Sequence, residues 1–157
     1  MTEIVFRHAQ TENDIATARQ IFREYETWLG LDLCFQGFEE ELKTLPGKYS
    51  PPDGRLYLAA DGGEIAGCIA LRKIGDGVCE MKRLFVREKF RGRQIGRLLI
   101  ERLIADAREI GYLQMRLDTF PPKMEKAVQL YESYGFREIP PYYENPNADV
   151  LFMELAL

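Results

Sequence analysis

Across residues 55–86 the chain runs through three strand-like segments, RLYLAAD, EIAGCIALRKI and VCEMKRLFV, separated only by the turn signals DGGE and GDG. Turns this short join antiparallel neighbours, because a parallel pair needs a crossover of about a dozen residues or more. Three adjacent antiparallel strands are therefore predicted, and folds that open on a parallel βαβ unit are disfavoured.

The segments on either side complete a mixed order. EIVFRHA reads as a first strand, and Thr11 or Asn13 can cap a helix whose apolar positions Ile15, Ala18, Ile21, Phe22, Tyr25 and Trp28 keep helical spacing as far as Gly30. GFEEELKTL reads as a shorter helix stopped by Pro46 and Gly47, and YSPPDG as a loop, since consecutive prolines cannot donate to a ladder. After the third strand, Ile95, Leu98, Leu99, Leu103, Ala107 and Ile110 mark one helical face opposite Arg97, Glu101, Arg102, Asp106 and Arg108, with Gly111 placed to end the helix. YLQMRLDT alternates as a strand, with Leu113, Met115 and Leu117 on one face. KMEKAVQLYESYG reads as a helix, FREI as a short strand and VLFMELAL as the last strand. Repeats and linkers are absent, so residues 1–157 are expected to form one α/β domain with a mixed, mostly antiparallel sheet flanked by helices.

Composition narrows the class of function. A chain of 157 residues can bury about two-thirds of its unfolded surface, enough for a core without staples. No apolar run approaches the roughly 18 residues of a membrane span, and MTEIVFRHAQTEND lacks a secretory block, so a cytoplasmic protein with reduced thiols is expected. Cys34, Cys68 and Cys79 lie far apart with one histidine to help them, and no metal site is expected. A net charge of -4 argues against nucleic acid as the partner and is compatible with amine ligands.

Against that acidic background FRGRQIGRLL concentrates positive charge where a helix begins. Arginine there opposes the helix dipole, which points to an external anion, and free N–H groups at a helix start favour phosphate or pyrophosphate. Gly92 allows a backbone angle closed to other residues, and Gly96 lets a ligand approach the main chain. Neither the P-loop nor the dinucleotide glycine pattern is present.

At this point the chain resembles the GNAT superfamily of N-acetyltransferases, most specifically over residues 80–136: the strand EMKRLFV, the loop FRGRQIG, the helix LLIERLIADA, then LDT and AVQLYESYGF. The resemblance implies a GNAT fold with acetyl-CoA as cofactor. Its loop pattern, R/Q-x-x-G-x-G/A, falls on Arg91, Gly92, Arg93, Gln94, Ile95 and Gly96, with Gln94 where the inner glycine is usual, and Arg97 just beyond it is a further candidate for the cofactor. Leu84, Phe85 and Val86 are implied to run along the pantetheine arm, and the thioester to lie where the sheet opens. Glu80 matches a general-base glutamate, acting directly or through water. Tyr131 matches the tyrosine that reaches the sulfur of CoA. Met124 stands where the family often has an asparagine that helps to hold the cofactor.

An amine near neutral pH carries a proton that must leave before it attacks a carbonyl, which is the reason for a carboxylate at Glu80. The structural alternative for Glu80 is pairing with Arg72, Lys82 or Arg83. The first two helices and the last loop are implied to shape the acceptor pocket, with Trp28, Phe35, Gln36, Phe38, Tyr142, Tyr143 and Asn145 as candidates and Arg83 or Lys82 as anchors for a carboxylate. The expected reaction moves an acetyl group to a small, amino-acid-like primary amine; a peptide or protein lysine is second. A non-catalytic acyl-CoA-binding domain is the reading from another class. Oligomeric state stays open, a homodimer included.

Overall fold

A computed structural model describes residues 3–33 and 37–157. Among the described residues seven strands form one sheet in the order β1-β2-β3-β4-β5-β7-β6. They are β1 Ile4–His8, β2 Arg55–Asp61, β3 Glu64–Gly75, β4 Val78–Val86, β5 Gln114–Thr119, β6 Arg137–Ile139 and β7 Leu151–Ala156. The α-helices among the described residues are α1 Glu12–Leu29, α2 Phe38–Thr44, α3 Ile95–Ile110 and α4 Pro121–Ser133. β1 to β4 run as an antiparallel meander, β4 and β5 pair in parallel, and β5, β7 and β6 pair antiparallel.

Local chemistry sets most helix ends. Thr11 caps α1 by accepting from the Asp14 N–H at 3.1 Å. Gly111, at φ +107°, closes α3 with its N–H on the Ala107 carbonyl. α4 begins earlier than the apolar spacing implied, because Pro121 and Pro122 suit a first turn whose N–H groups are unpaired anyway, and its backbone breaks from helical angles at Met124. Leu113 departs from the expected alternation: it precedes β5 and is 71% exposed, whereas Met115 and Leu117 are buried.

The sheet separates two apolar clusters. One joins α3 to Ile69, Leu71, Met81, Met115, Leu117 and Tyr131. The other joins α1 and α2 to Leu56, Leu58, Cys68, Ala70 and Phe85. Two features of β4 position the site between them. Against β3 the register changes between Ala70↔Lys82 and Cys68↔Phe85, so Arg83 and Leu84 together oppose Ile69, and Arg83 takes φ +60°. Such a bulge reverses which face each later side chain occupies. Against β5 the ladder covers Val78↔Gln114, Cys79↔Met115 and Glu80↔Arg116, and beyond that rung the parallel strands part.

Candidate active site

Among the described residues, the parting of β4 and β5 leaves the β5-facing edge of residues 81–86 without strand partners. At the deep end of the gap, Met81, Lys82, Leu84, Leu117, Asp118, Met124 and Tyr131 enclose a small cavity together with Tyr25 and Arg83. Towards the surface, a groove of about 420 Å³ passes Leu84, Phe85 and Val86, with Trp28 and Arg91 on one flank and residues 122–127 of α4 on the other.

The groove meets the arginine loop at the start of α3. Gly92 takes φ +83° and Gln94 φ +62°, both left-handed, and the first amide to bond back along α3 is Leu98, to the Gln94 carbonyl. Among the described residues, the N–H groups of residues 92–97 make no backbone hydrogen bond. These amides and the positive end of the α3 dipole suit an anion. The left-handed angle at Gln94 gives a physical reason for glycine at that place in the loop pattern. Gly96 has an ordinary helical backbone; a Cβ there would meet Val86 Cγ2 at 3.8 Å, so its value is the open approach it leaves to the main chain. The arginines are only partly occupied. Arg91 donates to the Val86 carbonyl at 3.0 Å and lies 4.9 Å over the Trp28 ring; Arg93 pairs with Asp61 at 2.6 Å and Arg97 with Glu101 at 3.4 Å.

On the α1/α2 face, at the rung where the strands part, Glu80 is 1% exposed. Arg72 Nε donates to its Oε1 at 2.8 Å and the Tyr142 hydroxyl donates to its Oε2 at 2.6 Å. Lys82 Nζ stands 3.9 Å from Glu80 and 3.8 Å from Asp118, bridging the gap from β4 to β5. Burial pushes the Lys82 pKa down and Arg83 adds to the shift, while Asp118 and Glu80 oppose it. Tyr143 donates to Asp118 at 2.7 Å, and both tyrosines pack on Phe152. Burial first, and the facing carboxylate second, push both hydroxyls well above the usual phenol range, so they remain donors. Tyr131 is 3% exposed, packs against Phe136, and is likewise raised by burial. It borders the deep cavity, where a neutral hydroxyl can donate to an atom held in the gap.

Several expected groupings change. Trp28 does not join Tyr142 and Tyr143; it tilts on Phe85 and stacks with Arg91 in the groove, because helical spacing turns it toward the end of β4. Arg83, expected to anchor an acceptor carboxylate, already holds one: Nε and Nη2 each bond Glu41 at 2.9 Å beneath α2, and the guanidinium lies over Phe38. Phe38 itself is buried core. Phe35 and Gln36 lie outside the described residues. Asp118 and Arg116 were not singled out by sequence reasoning, although the alternation of β5 puts both on the polar face opposite Met115 and Leu117; Arg116 pairs with Glu154 at 2.8 Å.

The sequence profile of the acetyltransferase (GNAT) family matches residues 15–136. An N-acetyltransferase of Schizosaccharomyces pombe, uncharacterised, is 40% identical over 92% of this chain and 89% of its own. Another, of Dictyostelium discoideum, is 35% identical over 98% of this chain and all of its own. The crystal structure of PaiA N-acetyltransferase from Thermoplasma acidophilum in complex with coenzyme A superposes with a TM-score of 0.75 at 20% identity, covering 99% of each chain.

Proposed function

The chain belongs to the acetyltransferase (GNAT) family, and from that premise we propose that it moves the acetyl group of acetyl-CoA directly to a primary amine on a small, amino-acid-like molecule. The observation that carries this reading is the gap beyond Glu80 and Arg116, with a free strand edge, unpaired loop amides, a carboxylate and a buried tyrosine around it.

These groups fit the cofactor. The N–H groups of residues 92–97 would hold its pyrophosphate, and the main chain of Leu84, Phe85 and Val86 would bond the pantetheine arm as an added strand does. Trp28 and Arg91 would wall the groove. Acetyl-CoA supplies a thioester carbonyl and a leaving thiolate. Glu80, held from two sides by Arg72 and Tyr142, takes the ammonium proton, and Tyr131 donates a hydrogen bond toward the sulfur. Tyr142 and Tyr143 border the acceptor. A single domain in the reducing cytoplasm suits the reading, with Cys68 and Cys79 buried as free thiols.

The test is a thiol-release assay with acetyl-CoA against amines, amino acids and lysine peptides. Release with a small amine that falls in Glu80→Gln is the expected result. Saturable coenzyme A binding without release on any acceptor would establish the non-catalytic reading, and release on peptides alone would move the acceptor to protein lysine.

A further inference from the structure

A second cavity of about 260 Å³ opens between α2, the turn at residues 46–49 and β3. Arg72 lines it, and Arg72 is also the residue that grips Glu80. Only Nε is used in that grip; among the described residues, Nη1 and Nη2 make no hydrogen bond. Tyr49 lines it as well, its hydroxyl buried in the neighbourhood of Glu41. Of the acidic groups lining the cavity, Glu41 is held by Arg83, and Glu40 sits exposed.

We propose that Arg72 anchors a carboxylate on the acceptor, which makes the substrate class amino acids rather than simple amines. The inference rests on the reading of Glu80 as the base. A planar guanidinium offers its Nη groups as a fork matched to a carboxylate. A ligand carboxylate on that fork would share the Arg72 guanidinium with Glu80, and the short spacing from carboxylate to amine in an α- or β-amino acid would keep the amine on the side of the base. An amine lacking the carboxylate has no such handle. The cavity is too large for the carboxylate alone, leaving room for a side chain against α2.

The test pairs each of the common L-amino acids, and β-alanine, with its decarboxylated amine in the thiol-release assay. At least one amino acid should exceed its amine tenfold or more in kcat/KM, and Arg72→Ala should abolish that preference. Loss of Glu80 activity would lower both members of a pair alike, so the ratio reports the anchor alone. Because Arg72→Ala strands a buried carboxylate, a second comparison uses Glu80→Gln and Glu80→Gln/Arg72→Met. Binding of the N-acetyl derivative of the preferred amino acid, measured by calorimetry without coenzyme A, should weaken about 10 to 100-fold in the double variant, the range for hydrogen bonds to a charged group. Amines acetylated as well as their parent amino acids, or a preference that survives Arg72→Ala, overturns the anchor and leaves the acetyltransferase reading standing. Absence of release with every acceptor overturns both.

Discussion

The Tyr142 hydroxyl, from the loop before β7, donates a 2.6 Å hydrogen bond to the Glu80 carboxylate across 62 residues of chain. Together with Arg72 on the other oxygen it fixes the carboxylate that stands where the strands part. Tyr142→Phe keeps the packing on Phe152 and removes only the donor. We expect kcat/KM for the amine to fall about 10 to 100-fold, the scale of a lost hydrogen bond to a charged group, with KM for acetyl-CoA unchanged. An unchanged amine kcat/KM would show that Tyr142 closes the loop without serving the base.

Glu80→Gln preserves shape and an acceptor for Arg72 while removing the proton acceptor. The defect should shrink as pH rises from about 6 to 9.5, because the fraction of free amine grows toward its ordinary pKa. Tyr131→Phe should show a milder loss, about 10 to 100-fold in kcat, without that rescue, since a thiolate with a pKa of roughly 8.5 leaves readily by itself. Wild-type rates for Glu80→Gln at every pH would remove it as the base.

Trp28 and Arg91 stack at 4.9 Å beside Leu84, Phe85 and Val86. Trp28→Ala and Arg91→Ala should therefore each weaken coenzyme A binding by about 1 to 3 kcal/mol in calorimetry, from lost packing and charge-assisted bonding, and leave the KM for amine nearly constant. The reverse pattern for Trp28 would return it to the acceptor side.

Gln94 holds φ +62° without being glycine. Gln94→Gly relieves a left-handed angle that costs a side chain about 1 kcal/mol, partly offset by the greater freedom of glycine in the unfolded chain. Thermal melts should show equal or higher stability and an unchanged coenzyme A affinity, as the amide is retained. A clear loss of affinity would give the glutamine side chain a direct part in the site.

Burial raises the thiols of Cys68 and Cys79 from 9.0 to about 12. Between those values the unfolded chain has released protons that the folded chain still holds, so this contribution to stability is complete below about pH 9 and is lost as pH climbs toward 12. Melting temperature should decline above pH 9, and both thiols should resist iodoacetamide in the native protein at that pH. Prompt labelling of either by peptide mass mapping would show local opening of the sheet.

Much of this was legible along the chain because its causes are local. Period and caps marked α1 and α3, the short turns marked the β2–β3–β4 meander, and the glycine and arginine spacing marked the loop at the start of α3. Glu80 and Tyr131 are proposed for the site through the resemblance of their surrounding motifs. Tertiary structure decided which groups meet. The bulge at Arg83 and Leu84 turns Phe85 to the α1 face beside Trp28 and hands Arg83 to Glu41, and no alternation of apolar residues announces it. The strand register sets Arg72 opposite Glu80, and the return of β7 between β5 and β6 carries Tyr142 and Tyr143 over the gap. Periodicity says which way a side chain faces only until the register shifts. Which partner it finds depends on strands brought together from distant parts of the chain, where one extra residue changes the answer.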